Sequence, residues 1–317
     1  MKRIVFSLVL APALAACAAS SHDVAPAALG TPRATADLEA LLSIPGPVEV
    51  ETVVAADWAV ERSGLINLDH PTAKAAHLED GDEPIQIYLH ALRHPKYGLF
   101  LVDTGVEAAV RTDLDHSLFG GLLGSVMHAD KVKVRTDTKA WLAAQPQPPA
   151  GVFLTHLHLD HISGIRDVPD ATPVYTGPGE AAASDLLFMF TQGTVDEALE
   201  SKGNLQEWRF EPDPSGQFAG VIDIFGDGTV WALHVPGHTP GSTAYLARTP
   251  KGPVLFTGDA SHTRWGWEHG VEPGSFSADK PTSAESMKAL LALVARHPEI
   301  DVRLGHQMLQ STSVAAR

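Results

Sequence analysis

The chain has 317 residues, 44% of them hydrophobic, which is enough apolar material for a large folded core. Its 38 acidic residues outweigh 23 basic ones for a formal charge of −15, and no basic cluster offsets that field, which argues against a nucleic-acid partner. One cysteine, Cys17, excludes disulfides within the chain and leaves the folded part with no thiolate to offer a metal.

In chain order, Lys2 and Arg3 precede an apolar run from Ile4 to Leu14, which as a helix is too short to cross a bilayer of about 30 Å. Leu14-Ala15-Ala16-Cys17 follows, the order of a bacterial lipoprotein leader in which the cysteine becomes the first mature residue and carries the lipid. Ordinary secretory cleavage among Ala18 to Ser20 is the alternative. Both readings predict an exported, periplasmic protein, and the first limits membrane contact to a lipid anchor at Cys17. Without Lys2 and Arg3, 21 basic residues face 38 acidic ones, a net −17. The organisation expected is a signal peptide over 1–17, a flexible tether over 18–46 rich in Ala, Ser, Pro and Thr, and one folded domain over 47–317.

Strand signals begin at Val48, Val50 and Thr52 to Val54. Ile85, Ile87 and Leu89 alternate with Gln86, Tyr88 and His90, the period of a half-buried strand. Gly98 to Val102 is an apolar run ending at Asp103-Thr104-Gly105. Ser117 to Gly124 is apolar but punctuated by glycine, and reads as a mobile flap. Thr138 to Gln145 predicts a short helix, Gly151 to Thr155 a buried strand, and Glu180 to Phe190 a second helix. Val221 to Phe225 and Thr229 to Val235 flank Gly226-Asp227-Gly228, a hairpin signal. Ser242 to Ala247 and Val254 to Thr257 are further strands. Thr282 to Arg296 is the clearest helix: Thr282 and Glu285 form a capping box, and Met287, Leu290, Leu291 and Val294 make one apolar stripe. Ile300 to Leu304 is a last strand. Many strands with interspersed helices predict a mixed α/β sandwich.

The chemistry concentrates at Thr155-His156-Leu157-His158-Leu159-Asp160-His161, where four metal-ligand types fall within six residues directly after a buried strand. In extended chain His156 and His158 would face one side, and a turn after them would carry Asp160 and His161 to a second point nearby. Three more candidates end strands beside glycine: Gly237-His238, Gly258-Asp259 and Gly305-His306. Glycine there permits close backbone approach. Imidazole and carboxylate donors suit zinc, with manganese, iron and cobalt as alternatives.

At these residues the chain resembles the metallo-β-lactamase superfamily: His-x-His-x-Asp-His at 156–161, Pro-Gly-His at 236–238, Gly-Asp at 258–259 and Gly-His at 305–306 are its motifs in order. The resemblance spans roughly residues 48 to 310. It implies an α/β fold of the αββα sandwich type and two Zn2+ ions, with His156, His158 and His238 on the first, Asp160, His161 and His306 on the second, and Asp259 between them. It implies hydrolysis by a hydroxide shared between the metals, whose pKa falls from about 15.7 toward 7.

Within the superfamily, Asp259 and the lack of a domain cysteine count against β-lactams. Leu101-Val102-Asp103-Thr104-Gly105, Thr257-Gly258-Asp259-Ala260-Ser261, Gly305-His306-Gln307 and the acidic stretch from Trp267 to Asp279 are similar to N-acyl-homoserine lactonases. That resemblance implies a quorum-quenching lactonase acting on a small-molecule ester or lactone. Many such lactonases carry a tyrosine three residues after the bridging aspartate. Here that position is His262, expected to donate a hydrogen bond to the substrate carbonyl or to shuttle a proton, with Asp160 assisting proton transfer. Candidates for an acyl groove are Leu118, Phe119, Leu122, Leu123, Phe188, Phe190, Trp265 and Trp267. The alternatives are ester, thioester or phosphotriester hydrolysis on the same metals, or a non-catalytic, lipid-anchored metal or ligand binder.

Overall fold

The computed structural model describes residues 18–184 and 188–309, and in it the alternation read at Ile85, Ile87 and Leu89 lies within a 13-residue strand. In chain order the strands are β1 (Val24–Pro26), β2 (Thr31–Arg33), β3 (Glu49–Glu61), β4 (Asp82–His94), β5 (Gly98–Val102), β6 (Lys133–Val134), β7 (Gly151–Phe153), β8 (Val174–Thr176), β9 (Leu205–Glu207), β10 (Gly220–Asp223), β11 (Val230–His234), β12 (Thr243–Thr249), β13 (Gly252–Phe256) and β14 (Asp301–Arg303). They form an eight-stranded sheet, β1-β9-β8-β7-β5-β4-β3-β6, and a six-stranded sheet, β14-β13-β12-β11-β10-β2.

Rings and branched side chains from both sheets meet between them, with Phe100, Phe153 and Tyr175 from one side and Ile222, Tyr245 and Phe256 from the other. Phe153 stacks on Phe100 at 5.0 Å and on Tyr245 at 5.6 Å. Helices cover the outer faces. On the six-stranded sheet, α1 (Thr35–Leu42) and the long C-terminal helix bury Leu38, Leu42, Met287 and Leu290 against Trp231 and Leu246. On the eight-stranded sheet, α2 (Thr138–Ala143), α3 (Leu159–Ile162) and α4 (Phe188–Leu199) bury Trp141, Ile162, Val195 and Leu199 against Leu101 and Leu154. The layers are therefore helix, sheet, sheet, helix, the αββα sandwich expected. Two helices follow β13: α5 (Arg264–His269) and α6 (Lys280–Arg296), the long C-terminal one.

Four expectations change. The segment 18–46 is folded and is no tether: β1 pairs with β9, β2 pairs with β10, and Leu38 and Leu42 sit in the core. Ala and Pro content suggested a linker, but Thr35, Leu38 and Leu42 carry a buried helical face. The helix expected over Glu180 to Phe190 instead runs Phe188–Leu199. Carbonyls at 181 and 183 accept from Ser20 and Ala19 N–H, so this backbone serves the N-terminal segment. Helix α6 starts earlier than the capping box implied, with Asp279 as cap accepting from Thr282 N–H at 3.1 Å, since Pro281 fits the first turn. The glycine-punctuated stretch is no flap: Leu118 and Phe119 are buried, and Phe119 packs edge-on to Trp58 at 6.0 Å. Cys17 lies outside the described residues.

Candidate metal centre

Each ligand motif follows the end of a strand at one rim of the sandwich. The first leaves β7 as a loop over 155–158 and enters α3, so His156 and His158 are loop residues and Asp160 and His161 lie in the helix. The others follow β11, β13 and β14. Short strands fixed by the inter-sheet core therefore aim four loops at one point. Packing at the rim is tight. A Cβ on Gly305 would lie 2.1 Å from Asp259 Oδ1, so only glycine lets the last loop pass that carboxylate. Gly237, at φ +132°, lies against Ser283, where a Cβ would be 2.2 Å from the backbone nitrogen. This docks the His238 loop on the start of α6, where Asp279 N–H also donates to Gly237 O at 2.9 Å.

All seven expected ligands converge. His156, His158, His238 and Asp259 form one group and Asp160, His161 and His306 a second, with donor atoms in each group within 4.8 Å of one another. Asp259 Oδ2 is the common point: Nε2 of His156, His161, His238 and His306 lies 3.6, 3.3, 3.4 and 3.3 Å from it. Asp160 Oδ2 is 3.2 Å from His306 Nε2.

Outer partners fix the tautomers. His161 Nδ1–H donates to Asp103 Oδ2 at 2.8 Å, and His306 Nδ1–H to Gln86 O at 2.9 Å. Thr155 spends its hydroxyl hydrogen on Asp103, so its oxygen accepts from His156 Nδ1–H at 3.0 Å. Glu180 accepts from Leu157 N–H and Gly241 N–H, both at 2.9 Å, and so ties the first loop to the one carrying His238. With Nδ1 so committed, the neutral forms of His156, His161 and His306 would point bare Nε2 atoms at a carboxylate oxygen, a cluster of acceptors with no donor. Asp259 Oδ1 and His161 Nε2 are buried without a hydrogen-bond partner among the described residues.

Cations resolve that arrangement. A tetrahedral zinc with 2.0–2.1 Å bonds spaces its donors about 3.3 Å apart, close to the separations found here. Protonation trends agree. Burial opposes charge on His306, but Asp259 and Asp160 outweigh it and push its pKa up to about 10. His161 is raised in the same way, against burial, by Asp259, Asp103 and Asp160. His156 and His238 are pushed down, by burial first and then by neighbouring imidazoles. Without metal the cage draws protons to balance its carboxylates, so positive charge at this point is what the fold is built to hold.

His262 is buried at the same rim. Its Nδ1–H donates to Leu65 O at 3.1 Å, and its Nε2 faces Asp259 Oδ2 at 3.1 Å. The hydrogen on Nδ1 is therefore committed to Leu65 O and is not the one that could reach a substrate carbonyl in the donor role expected. Beside the cluster opens a cavity of about 320 Å³, lined on its apolar side by Trp58, Val60, Ile85, Val126, Met127 and Phe276, with His158, His238, His262 and Asp160 at its base. Among the described side chains, none of the expected acyl-groove residues lines it. Leu118, Phe119 and Trp267 are core, Leu123 and Trp265 pack against core clusters, and Phe190 is exposed on α4. The side chains of Leu122 and Phe188 lie outside the described set.

Sequence reasoning missed Asp103, Thr155 and Glu180 as supports of the ligands, and Ser277, whose Oγ lies 3.3 Å from His238 Nδ1. The one available signal was Asp103 in an Asp-Thr-Gly turn directly after an apolar strand. The apolar walls left no signal, because Trp58, Ile85 and Phe276 read as ordinary core.

Residues 84–306 match the metallo-beta-lactamase superfamily. The N-acyl homoserine lactonase AttM of Azorhizobium caulinodans is 31% identical over 221 residues, covering 68% of this chain and 80% of that protein. A quorum-quenching N-acyl homoserine lactone lactonase aligns with a TM-score of 0.59 at 20% identity, over 85% of this chain and 97% of its own. An N-acyl homoserine lactone hydrolase with the product N-hexanoyl-L-homoserine bound at its catalytic metal centre aligns with a TM-score of 0.57 at 20% identity, over 83% and 93%.

Proposed function

The chain belongs to the metallo-β-lactamase superfamily, and from that membership we propose that it is a metal-dependent hydrolase that opens lactone rings, N-acyl-homoserine lactones among them. The observation that carries this is the convergence of imidazole nitrogens on Asp259 Oδ2 at the base of an apolar cavity. A pair of divalent cations supplies Lewis acidity and a nucleophile competent at neutral pH. Donors of this kind suit zinc, with manganese, iron or cobalt able to take the same ligands.

The residues divide the remaining work. His156, His158 and His238 would hold one ion, Asp160, His161 and His306 the other, with Asp259 shared. Asp103, Gln86 O and Thr155 orient the rings from behind, which keeps the bare nitrogens aimed at the reacting point. Burial would raise Asp160, but His161 and His306 hold it ionised in the metal-free cage. Trp58, Val60, Ile85, Met127 and Phe276 exclude water from one side and give an acyl chain an apolar surface. Each methylene buried there contributes about 0.8 kcal/mol, or roughly fourfold in kcat/KM, until the cavity is filled.

The test is a panel on one metal-loaded sample: acyl-homoserine lactones of increasing chain length, a simple ester, S-lactoylglutathione, a paraoxon-type phosphotriester and nitrocefin. The lactones should give the highest kcat/KM and rise with chain length. Faster turnover of the thioester, phosphotriester or nitrocefin would overturn the substrate assignment.

We also propose export and lipid attachment at Cys17, on the leader-like sequence alone. The fold adds a consequence. Ala19 is buried and bonded to Ala183, and Ser20 Oγ donates to Asp196 at 2.6 Å, so a lipid on Cys17 would hold the folded body against the membrane with no spacer. Intact-mass analysis of the exported protein should find Cys17 modified, and a free N-terminus elsewhere would reject the anchor.

A further inference from the structure

His262 shares the stereochemistry of the ligands. Its Nδ1 is committed to a backbone carbonyl, Leu65 O, as that of His306 is to Gln86 O. Its Nε2 faces Asp259 Oδ2 at 3.1 Å, closer than any of the four expected ligand nitrogens measured to that oxygen, which lie at 3.3–3.6 Å. It is 1% exposed. Its ring lies edge-on to His238 at 5.0 Å and parallel to His306 at 5.7 Å, so it stands beside a member of each group. Backbone bonds fix this placement: His306 N–H donates to His262 O at 3.0 Å and Gly305 N–H to Ser261 O at 3.0 Å, which locks the two loops side by side.

Leu65 O can only accept, so the hydrogen on Nδ1 is committed there and Nε2 is the ring atom aimed at Asp259 Oδ2 and the ligand group around it, the stereochemistry of a ligand.

We infer that His262 is a metal ligand, a sixth imidazole donor to the ions that share Asp259. The inference rests on the dinuclear reading above and adds a residue to it. An additional neutral nitrogen raises the affinity of the centre and uses a coordination position at the cavity base, so that His262 governs metal retention as well as access.

The experiment replaces His262 by glutamine and, separately, by phenylalanine, and loads wild type and variants with cobalt(II). Proton NMR then counts the hyperfine-shifted exchangeable ring N–H signals, one for each ligating imidazole. Wild type should show six and each variant five. Competition with a chelator should show the variants holding zinc at least tenfold more weakly. Apo far-UV circular dichroism and urea midpoints, unchanged among the three, establish that the fold is intact; an unfolded phenylalanine variant leaves the glutamine variant to decide. Five signals in wild type, or a glutamine variant with unchanged spectrum and zinc affinity, overturns the inference and leaves the dinuclear centre standing. A wild-type protein that takes up no second metal overturns the dinuclear reading itself.

Discussion

Asp103 shows how much of a metal site resides in residues that touch no metal. It sits at the end of β5 with φ +53°, a left-handed conformation that only a few non-glycine residues adopt easily. From there its carboxylate accepts from Thr155 N–H at 2.8 Å, from the Thr155 hydroxyl, and from His161 Nδ1–H at 2.8 Å. Asn tolerates the same backbone and nearly the same shape, so Asp103→Asn tests the interaction alone. Its amide can keep the bond from Thr155 N–H only by turning its NH2 toward His161. That opposes two donors and favours the tautomer with hydrogen on Nε2, the atom meant for metal. Metal affinity should fall about 10- to 100-fold while the apo protein unfolds at nearly the same urea concentration. Chelator competition measures the first and denaturation the second. An affinity within twofold of wild type would remove Asp103 from the support of the centre.

Elements show where sequence is transparent and where it is not. The ligands were legible because their signal is local: His156, His158, Asp160 and His161 lie within six residues, and the other three sit beside glycines at strand ends. Strands with clean alternation, such as β4, and a hairpin marked by Gly226-Asp227-Gly228 were legible for the same reason. What failed depended on distant partners. Nothing within residues 18–46 tells that β1 and β2 extend two different sheets, since their pairing partners β9 and β10 lie about 180–190 positions away. The cavity wall failed likewise, because Trp58, Ile85 and Phe276 are separated in sequence and meet only in the fold. The N-terminal correction has a measurable consequence. Leu38 is fully buried on α1 against the six-stranded sheet. Leu38→Ala should cost about 2–5 kcal/mol in urea unfolding, the range for a buried leucine leaving a cavity. A residue in a flexible tether would cost nothing measurable, so a change below about 0.5 kcal/mol would return the segment to that description.

At the scale of the whole molecule, the two sheets enclose a buried imidazole that has no part in the ligand set. His90 on β4 lies between the sheets, its Nδ1 2.9 Å from Thr52 Oγ1 on β3 and its ring 4.6 Å from Phe256 on β13. Burial first, then the positive fields of Arg303 and His161, push its pKa down to about 3. In the unfolded chain it titrates near 6.5. Below that pH the unfolded state gains a proton that the folded state refuses, so the contribution to stability is complete above 6.5 and is lost as pH falls toward 3. The slope approaches 1.4 kcal/mol per pH unit, and between pH 6.5 and 4.5 the loss amounts to about 2–3 kcal/mol. Many carboxylates and the ligand histidines titrate over the same range, so the total acid response does not isolate His90, whereas a difference does. His90→Asn keeps a polar partner for Thr52 and removes the titration. Measured by urea unfolding of the metal-free proteins, the gap between wild type and variant should narrow by that amount as pH falls from 6.5 to 4.5. A constant gap would mean that the space between the sheets admits a charged imidazole, and with it enough water to undo the dry packing on which the aim of the strand ends depends.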